Sequence, residues 1–216
     1  MKAGIVRSVP ALAAVGLAAL LGGCDATAAM NTSGQSLFEN NCSTCHGLDG
    51  TGVEIAKAPT IAGMPEWYVR NQLQGFRASY RGGHFDDVQG MRMRPMALTL
   101  RNEEEVALVA AYVAVLKPGE PQHTVQGGDA ARGAASFAVC TACHGADGKG
   151  NEALSAPPLV GGDDWYLLSQ LANFKSGVRG AAPGDTRGAT MRPMAATLTD
   201  EQAMKDVIAH IATLPR

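Results

Sequence analysis

The sequence predicts an all-α protein made of two tandem helical units, and three observations carry that prediction. A shift of 98 positions brings a long series of identical residues into register. Apolar residues inside each unit recur at i, i+4, i+7 and i+11, the spacing of a helix with one buried face. No stretch of useful length alternates apolar and polar residues as a half-buried strand would. The register pairs Asp49 with Asp147, Pro59 with Pro157, Gly63 with Gly161, Trp67 with Trp165, Tyr68 with Tyr166 and Gln72 with Gln170. It continues through Phe76 and Phe174, Arg81 and Arg179, and Gly90 and Gly188, and it needs no gap.

The elements follow in chain order. Residues 1–23 read as an export signal: Lys2 and Arg7 give a positive start, and Val9 to Leu21 is an uncharged apolar run shorter than a membrane span requires. The run ends in Leu21, Gly22, Gly23 and Cys24, which resembles the lipobox of bacterial lipoproteins. That resemblance implies a lipid on Cys24 and, with Asp25 behind it, retention at the inner membrane. A tether at 24–34 leads into unit one at 35–116, a linker at 117–127 and unit two at 128–216. Pro118, Gly119 and Pro121 prevent a helix from running through the linker.

Each unit opens with a helix, from Ser33 or Gly34 through Asn41 in the first and from an Asp129 N-cap through Val139 in the second. Loops rich in Gly and Pro follow, Gly47 to Gly63 and Gly145 to Gly162, where glycine lets the backbone come close to a bulky group. A middle helix starts at Pro65 in unit one and behind an Asp163 cap in unit two. Its stripe is Val69, Leu73, Phe76 and Tyr80, repeated as Leu167, Leu171, Phe174 and Val178; this is core. The block from Met93 to Ala97 recurs as Met191 to Ala195 and is expected as a loop ahead of a terminal helix. That last helix buries Val106, Val109, Val113 and Leu116, matched by Met204, Val207, Ile211 and Leu214. Asn102 with Glu105 forms a capping box in unit one, and Thr199 with Gln202 forms one in unit two, one position earlier in the repeat.

The chemistry sits at Cys42, Cys45 and His46, and again at Cys140, Cys143 and His144. Thiols three apart form thioethers to the two vinyl groups of a haem, and the adjacent histidine becomes an axial ligand of its iron. C-x-x-C alone also serves redox dithiols and zinc sites, but two copies, each followed by histidine, favour two covalent haems. Each unit adds a methionine 47 positions after its histidine, Met93 and Met191. A thioether is a soft, neutral ligand that favours ferrous iron, raises the reduction potential and closes the sixth position. Met96 and Met194 are the alternative ligands, and core packing is the other role open to a methionine.

The order C-x-x-C-H-G, then P-x-x-x-G ahead of a helix opening with an aromatic pair, then M-R-P-M-A before a terminal helix, resembles the class I cytochromes c. The tandem arrangement resembles the dihaem cytochrome c4 family from Gln35 to Arg216. The resemblance implies two class I cytochrome c domains, each wrapped around a haem c held by His46 with Met93 or by His144 with Met191. It implies that the Pro59 and Pro157 carbonyls accept a hydrogen bond from Nδ1 of the proximal histidine, fixing its tautomer. It also implies pseudo-twofold packing of the domains with haem edges close together. The segment from Arg81 to Asp87 is similar instead to haem domains associated with haem-copper oxidases, and His84 with its acidic neighbours is a place where unit one would select a partner.

The chain has a formal net charge of −2 and no Lys/Arg-rich run, which argues against nucleic-acid binding. Haem uses four of the five cysteines, leaving Cys24 for the lipid. His84, His123 and His210 do not repeat and read as surface or packing residues. Arg81 with Arg179, and Arg94 with Arg192, suit haem propionates or acidic partners. The Trp67/Trp165 and Tyr68/Tyr166 pairs read as packing between helix and haem. The expectation is a periplasmic electron carrier with no catalytic residue, tethered to the inner membrane through Cys24. It would pass single electrons from a quinol:cytochrome c reductase to a terminal haem-copper oxidase or other terminal reductase. The alternative is a haem c subunit of an oxidoreductase, a peroxidase or sulfur-compound dehydrogenase, with one haem open to substrate.

Overall fold

The structure, a computed structural model, describes residues 33–216, so the export signal at 1–23 and the lipidation site at Cys24 lie outside the described residues. Among the described residues it is helical, with isolated bridges at Val53–Ala58 and Asn151–Ala156 in place of any strand. Unit one runs α1 (Gly34–Asn41), α2 (Ser43–His46), a 3-10 turn (Glu54–Ala56), α3 (Glu66–Arg77), α4 (Val88–Leu98) and α5 (Glu103–Val115). Unit two runs α6 (Ala130–His144), a 3-10 turn (Glu152–Leu154), α7 (Asp164–Ser176), α8 (Thr186–Ala196) and α9 (Glu201–Ile211). None of these helices is long and apolar enough to cross a membrane.

The first and last helices of each unit cross at a glycine. A Cβ on Gly34 would stand 2.1 Å from the Leu108 carbonyl oxygen, and one on Gly133 would stand 1.9 Å from that of Asp206. Only a residue without a side chain permits backbones that close. One turn on, Phe38 and Phe137 are fully buried, the first against Tyr112 with ring centres 5.4 Å apart and the second against His210 at 5.2 Å. Leu73, Phe76, Val106, Val109 and Val113 complete the core of unit one, and Leu198, Met204, Val207 and Ile211 that of unit two. Each such side chain contributes about 1.5–3 kcal/mol by leaving water.

These landmarks expose a slip in the repeat. Gly34 and Gly133, like Phe38 and Phe137, are 99 positions apart, whereas the first cysteines are 98 apart. Unit one therefore holds one extra residue between its buried phenylalanine and Cys42, and the gapless register fails in the first helix. The extra residue is absorbed by a break: α1 stops at Asn41, Cys42 takes φ −116°, and the chain restarts as α2. Without that residue, α6 runs unbroken through Val139, where the sequence placed its end, to His144.

Two further expectations change. The Met93–Ala97 and Met191–Ala195 blocks are helical, within α4 and α8, rather than loops. Asp87 explains why: one oxygen accepts from Gly90 N–H at 3.0 Å and the other from Gly82 N–H at 2.8 Å, so the helix start is firmly capped. Asp185 caps α8 through Gly188 N–H at 2.9 Å. Pro95 and Pro193 interrupt the backbone ladder only in the last turn of each helix, where little helix remains to lose. In α9 the cap is Asp200, accepting from Ala203 N–H at 2.8 Å, and not Thr199. Asp200 is the register mate of Asn102, which caps α5 through Glu105 N–H at 2.9 Å, so the caps do keep step.

The linker is held by two buried carboxylates at the start of α7. Asp164 accepts from Thr124 N–H at 3.0 Å and Val125 N–H at 2.9 Å. Asp163 stands at the cap position but makes no capping bond to α7. Its oxygens take Gln122 N–H at 2.8 Å and, across the units, Thr60 N–H at 2.7 Å.

Candidate haem sites and the interface between units

One helical turn, the α2 turn in unit one and the last turn of α6 in unit two, places both cysteines and the histidine of each signature together. His46 and His144 are buried, at 7% and 6% exposure. Each ring lies with Nδ1 2.8 Å from a proline carbonyl, Pro59 or Pro157. A carbonyl only accepts, so Nδ1 carries the proton and Nε2 is left with a free lone pair, the form that ligates iron. Burial holds both imidazoles below the ordinary histidine value, against the opposing effect of the proline carbonyl, and so keeps them neutral.

The first thiol of each signature is not activated. Burial, and then the neighbouring Cys45, pushes Cys42 up to about 11, and burial raises Cys140 as well. A redox dithiol requires the opposite shift. A zinc site requires converging ligands, and among the described residues no group of three or more His, Cys, Asp or Glu side chains does so. Thioether formation asks for neither. The residues present thus fit a haem c in each unit, held through Cys42 and Cys45 with His46, and through Cys140 and Cys143 with His144.

The methionines of each block divide by exposure. Met93 is half-buried and packs against the core of unit one, and Met191 is half-buried in unit two. Met96 and Met194 are more exposed, at 37% and 36%.

Arg81 and Arg179 meet between the units. Arg81 donates to Gln72 of its own unit at 2.9 Å, and to Tyr166 at 3.1 Å and Gln170 at 3.2 Å across the interface. Arg179 answers with Gln170 at 2.7 Å and Gln72 at 2.9 Å. The contacts are reciprocal under exchange of the units, and each guanidinium lies over a phenylalanine ring, Phe76 at 4.2 Å or Phe174 at 4.4 Å. The acceptors are glutamine amide oxygens and a tyrosine hydroxyl, with no carboxylate among them. Burial, and then the facing Arg81 guanidinium, holds Arg179 below the usual arginine value. Arg81 moves the other way: against the effect of burial, Tyr166, Tyr68 and the nearby Asp87 hold it above the usual arginine value, although the Asp87 oxygens accept from backbone N–H groups and not from the guanidinium. The buried Nε of Arg81 has no hydrogen-bond partner among the described residues.

Several residues take roles the sequence reading did not assign. Gln72, Gln170 and Tyr166 bind the arginine pair rather than simply packing, and Tyr68 acts on Arg179 beside them; their repetition in register was the available signal. Asp87 is a buried cap with a counterpart in Asp185, so of the acidic residues beside His84 only Asp86 sets unit one apart. His84 stacks on Phe85 at 4.7 Å, and His123 lies 3.9 Å from Asp164 in the linker. Trp165 donates to Gln122 at 3.3 Å while Lys57 of unit one sits over its ring at 5.3 Å.

The family described as Cytochrome c matches the chain twice, over residues 32–117 and 130–215. The chain is 34% identical to a thiosulfate dehydrogenase electron acceptor of Stutzerimonas stutzeri (strain A1501), over 91% of this chain and 93% of that protein. It is 37% identical to the cbb3-type cytochrome c oxidase subunit CcoP of Rubrivivax gelatinosus over 59% of this chain, but spans only 38% of that subunit. The crystal structure of reduced recombinant cytochrome c4 from Pseudomonas stutzeri superposes with a TM-score of 0.66 at 28% identity, covering 84% of this chain and 97% of that one.

Proposed function

Because this chain belongs to the cytochrome c family, in two tandem domains that carry two covalent haem c groups, we propose that it is a closed dihaem carrier moving single electrons between periplasmic respiratory proteins. The bound haems supply a one-electron Fe(III)/Fe(II) couple; the chain supplies ligands, charge and exclusion of water. The observation that carries the reading is the pair Met93 and Met191, half-buried at one separation from His46 and His144. Met93 and Met191 would supply the second protein ligand of each iron, and with both positions filled neither haem would take a substrate. Arg81 and Arg179 neutralise haem propionates at the interface. The support for this is the burial of Arg81 and part-burial of Arg179 among glutamine and tyrosine acceptors, with the one nearby carboxylate, Asp87, facing two cations and the Arg81 Nε left unpartnered, since buried charge with too little counter-charge is costly. Carbon monoxide binding to the native ferrous protein tests closure: no binding is expected, and stoichiometric binding at one haem would instead indicate an oxidoreductase subunit.

Two donors fit. A quinol:cytochrome c reductase feeding a terminal haem-copper oxidase is the respiratory reading, supported by similarity to an oxidase subunit. A sulfur-compound dehydrogenase is favoured as donor by the near full-length similarity to a thiosulfate dehydrogenase electron acceptor. Rapid-mixing reduction by thiosulfate with its dehydrogenase, set against reduction by a quinol:cytochrome c reductase, separates them. The tether to the inner membrane is part of the same reading, and the intact mass of the protein extracted from membranes checks for acyl groups on Cys24.

A further inference from the structure

The hydrogen bond that orients the proximal histidine of unit one is shared, through a single peptide group, with a carboxylate of unit two. Pro59 C=O, which accepts from His46 Nδ1 at 2.8 Å, and Thr60 N–H, which donates to Asp163 Oδ2 at 2.7 Å, are the two ends of one amide. Asp163 is fully buried and Thr60 nearly so. A carboxylate pulling on the N–H end of an amide pushes electron density toward its oxygen, and a more negative oxygen draws harder on the imidazole proton. The imidazole then becomes a stronger donor at Nε2, which favours ferric over ferrous iron.

Unit two cannot do the same. The residue after Pro157 is Pro158, whose nitrogen bears no hydrogen. The residue in register with Asp163 is Pro65, which has no carboxylate. Both the donor and the acceptor of the relay are absent, while the His144 Nδ1 to Pro157 carbonyl bond itself is as short, at 2.8 Å. The chain duplicates the haem-orienting bond and supports it from outside in one copy only.

We infer that Asp163 is a positioning residue for the haem of the other unit: through the Pro59–Thr60 peptide it strengthens His46 as a ligand and lowers the reduction potential of haem one relative to haem two. The inference rests on the two-haem reading above. It makes the asymmetry between the haems a property of the domain interface, so that docking of the units sets the direction in which an electron settles.

The test compares Asp163→Asn and Thr60→Pro in the holoprotein, with each haem followed by its resolved methyl resonances during redox titration. Thr60→Pro imports the chemistry of unit two, where the backbone has the same close approach to a glycine: a Cβ added to Gly150 would stand 2.6 Å from Pro158 N, and one added to Gly52 would stand 2.7 Å from Thr60 N. Both variants are expected to raise the potential of haem one, by up to about tenfold in its one-electron equilibrium or ~59 mV, and to leave haem two in place. Both are expected to move the His46 Nδ1 proton resonance upfield without moving that of His144. Haem content measured on the same samples reports separately on the two-haem reading. Equal shifts at both haems, or an unmoved His46 proton, would overturn the inference. So would a response to Asp163→Asn that Thr60→Pro does not share, since that would mean the bare charge acts through space and not through the peptide.

Discussion

Met93 and Met96 are three positions apart on α4, and exposure separates them where spacing from His46 could not. Replacing Met93 with Ala is expected to abolish the methionine-to-iron absorption of haem one and to open that haem alone to carbon monoxide. Met96→Ala should leave both unchanged, and the reverse result would exchange the two assignments. At this scale the sequence was most informative about groups whose chemistry depends on neighbours in the chain: two thiols and a histidine within one helical turn, or a proline at a fixed distance. It was least informative about groups whose partner comes from the other unit. Asp163 looked like an ordinary helix cap because capping is what an aspartate before a helix usually does. Nothing local shows that Thr60 and Gln122 claim both its oxygens.

The elements that bring the haem ligands together are fixed where helices cross. Gly133→Ala would drive a methyl group into the Asp206 carbonyl and force α6 and α9 apart, at about 1–3 kcal/mol. Calorimetry should then show a fall of several degrees in the unfolding temperature of a domain this size; an unchanged transition would mean the crossing is looser than the structure has it. The same helices are joined by Asp206, which Arg132 grips at 2.7 and 3.0 Å and which Asp129 N–H also reaches at 2.8 Å. Those bonds, the arginine first, hold the Asp206 carboxyl well below the usual carboxylate range. Its stabilising effect is therefore full above the unfolded value of about 4 and declines as the pH drops below it. Unfolding temperatures of wild type and Asp206→Asn should differ at neutral pH and converge in acid, and parallel curves would show that Asp206 is not the linked group. The repeat made most of these elements readable, but the methionine blocks expected as loops are helical, the cap of α9 falls one residue later than expected, and the first helix is broken in one copy only. There, one inserted residue preserves the composition and the motif while shifting the buried face, and helical periodicity alone does not locate an insertion that a backbone break absorbs.

Across the whole molecule, the duplicated sequence produces an interface that neither unit could build alone. Arg81 and Arg179 each use the glutamine nine positions back on their own unit as an anchor and the facing unit's glutamine as a second acceptor, so the pair closes only when the units dock. Two like charges side by side, one buried and one half-buried, hydrogen-bonded to glutamine and tyrosine with one carboxylate, Asp87, nearby, repel and are poorly solvated, which favours further negative charge at this interface. If the propionates supply it, as proposed, the arginines would also act on the irons, since a nearby cation favours the ferrous state, which carries one positive charge fewer. Removing one by Arg179→Gln keeps a polar side chain beside Gln170 and Gln72 but deletes the charge. The expected outcome is a fall in both reduction potentials, on the order of 1 kcal/mol, the Coulomb energy of two unit charges about ten ångströms apart at the effective dielectric of protein interiors. Because the pair is screened from solvent, the shift should persist between low and high salt, unlike that from any surface arginine such as Arg92 or Arg187. A redox titration at two ionic strengths measures both quantities, and a shift confined to one haem, or one that salt removes, would take the arginine pair out of the electrostatics shared by the two haems.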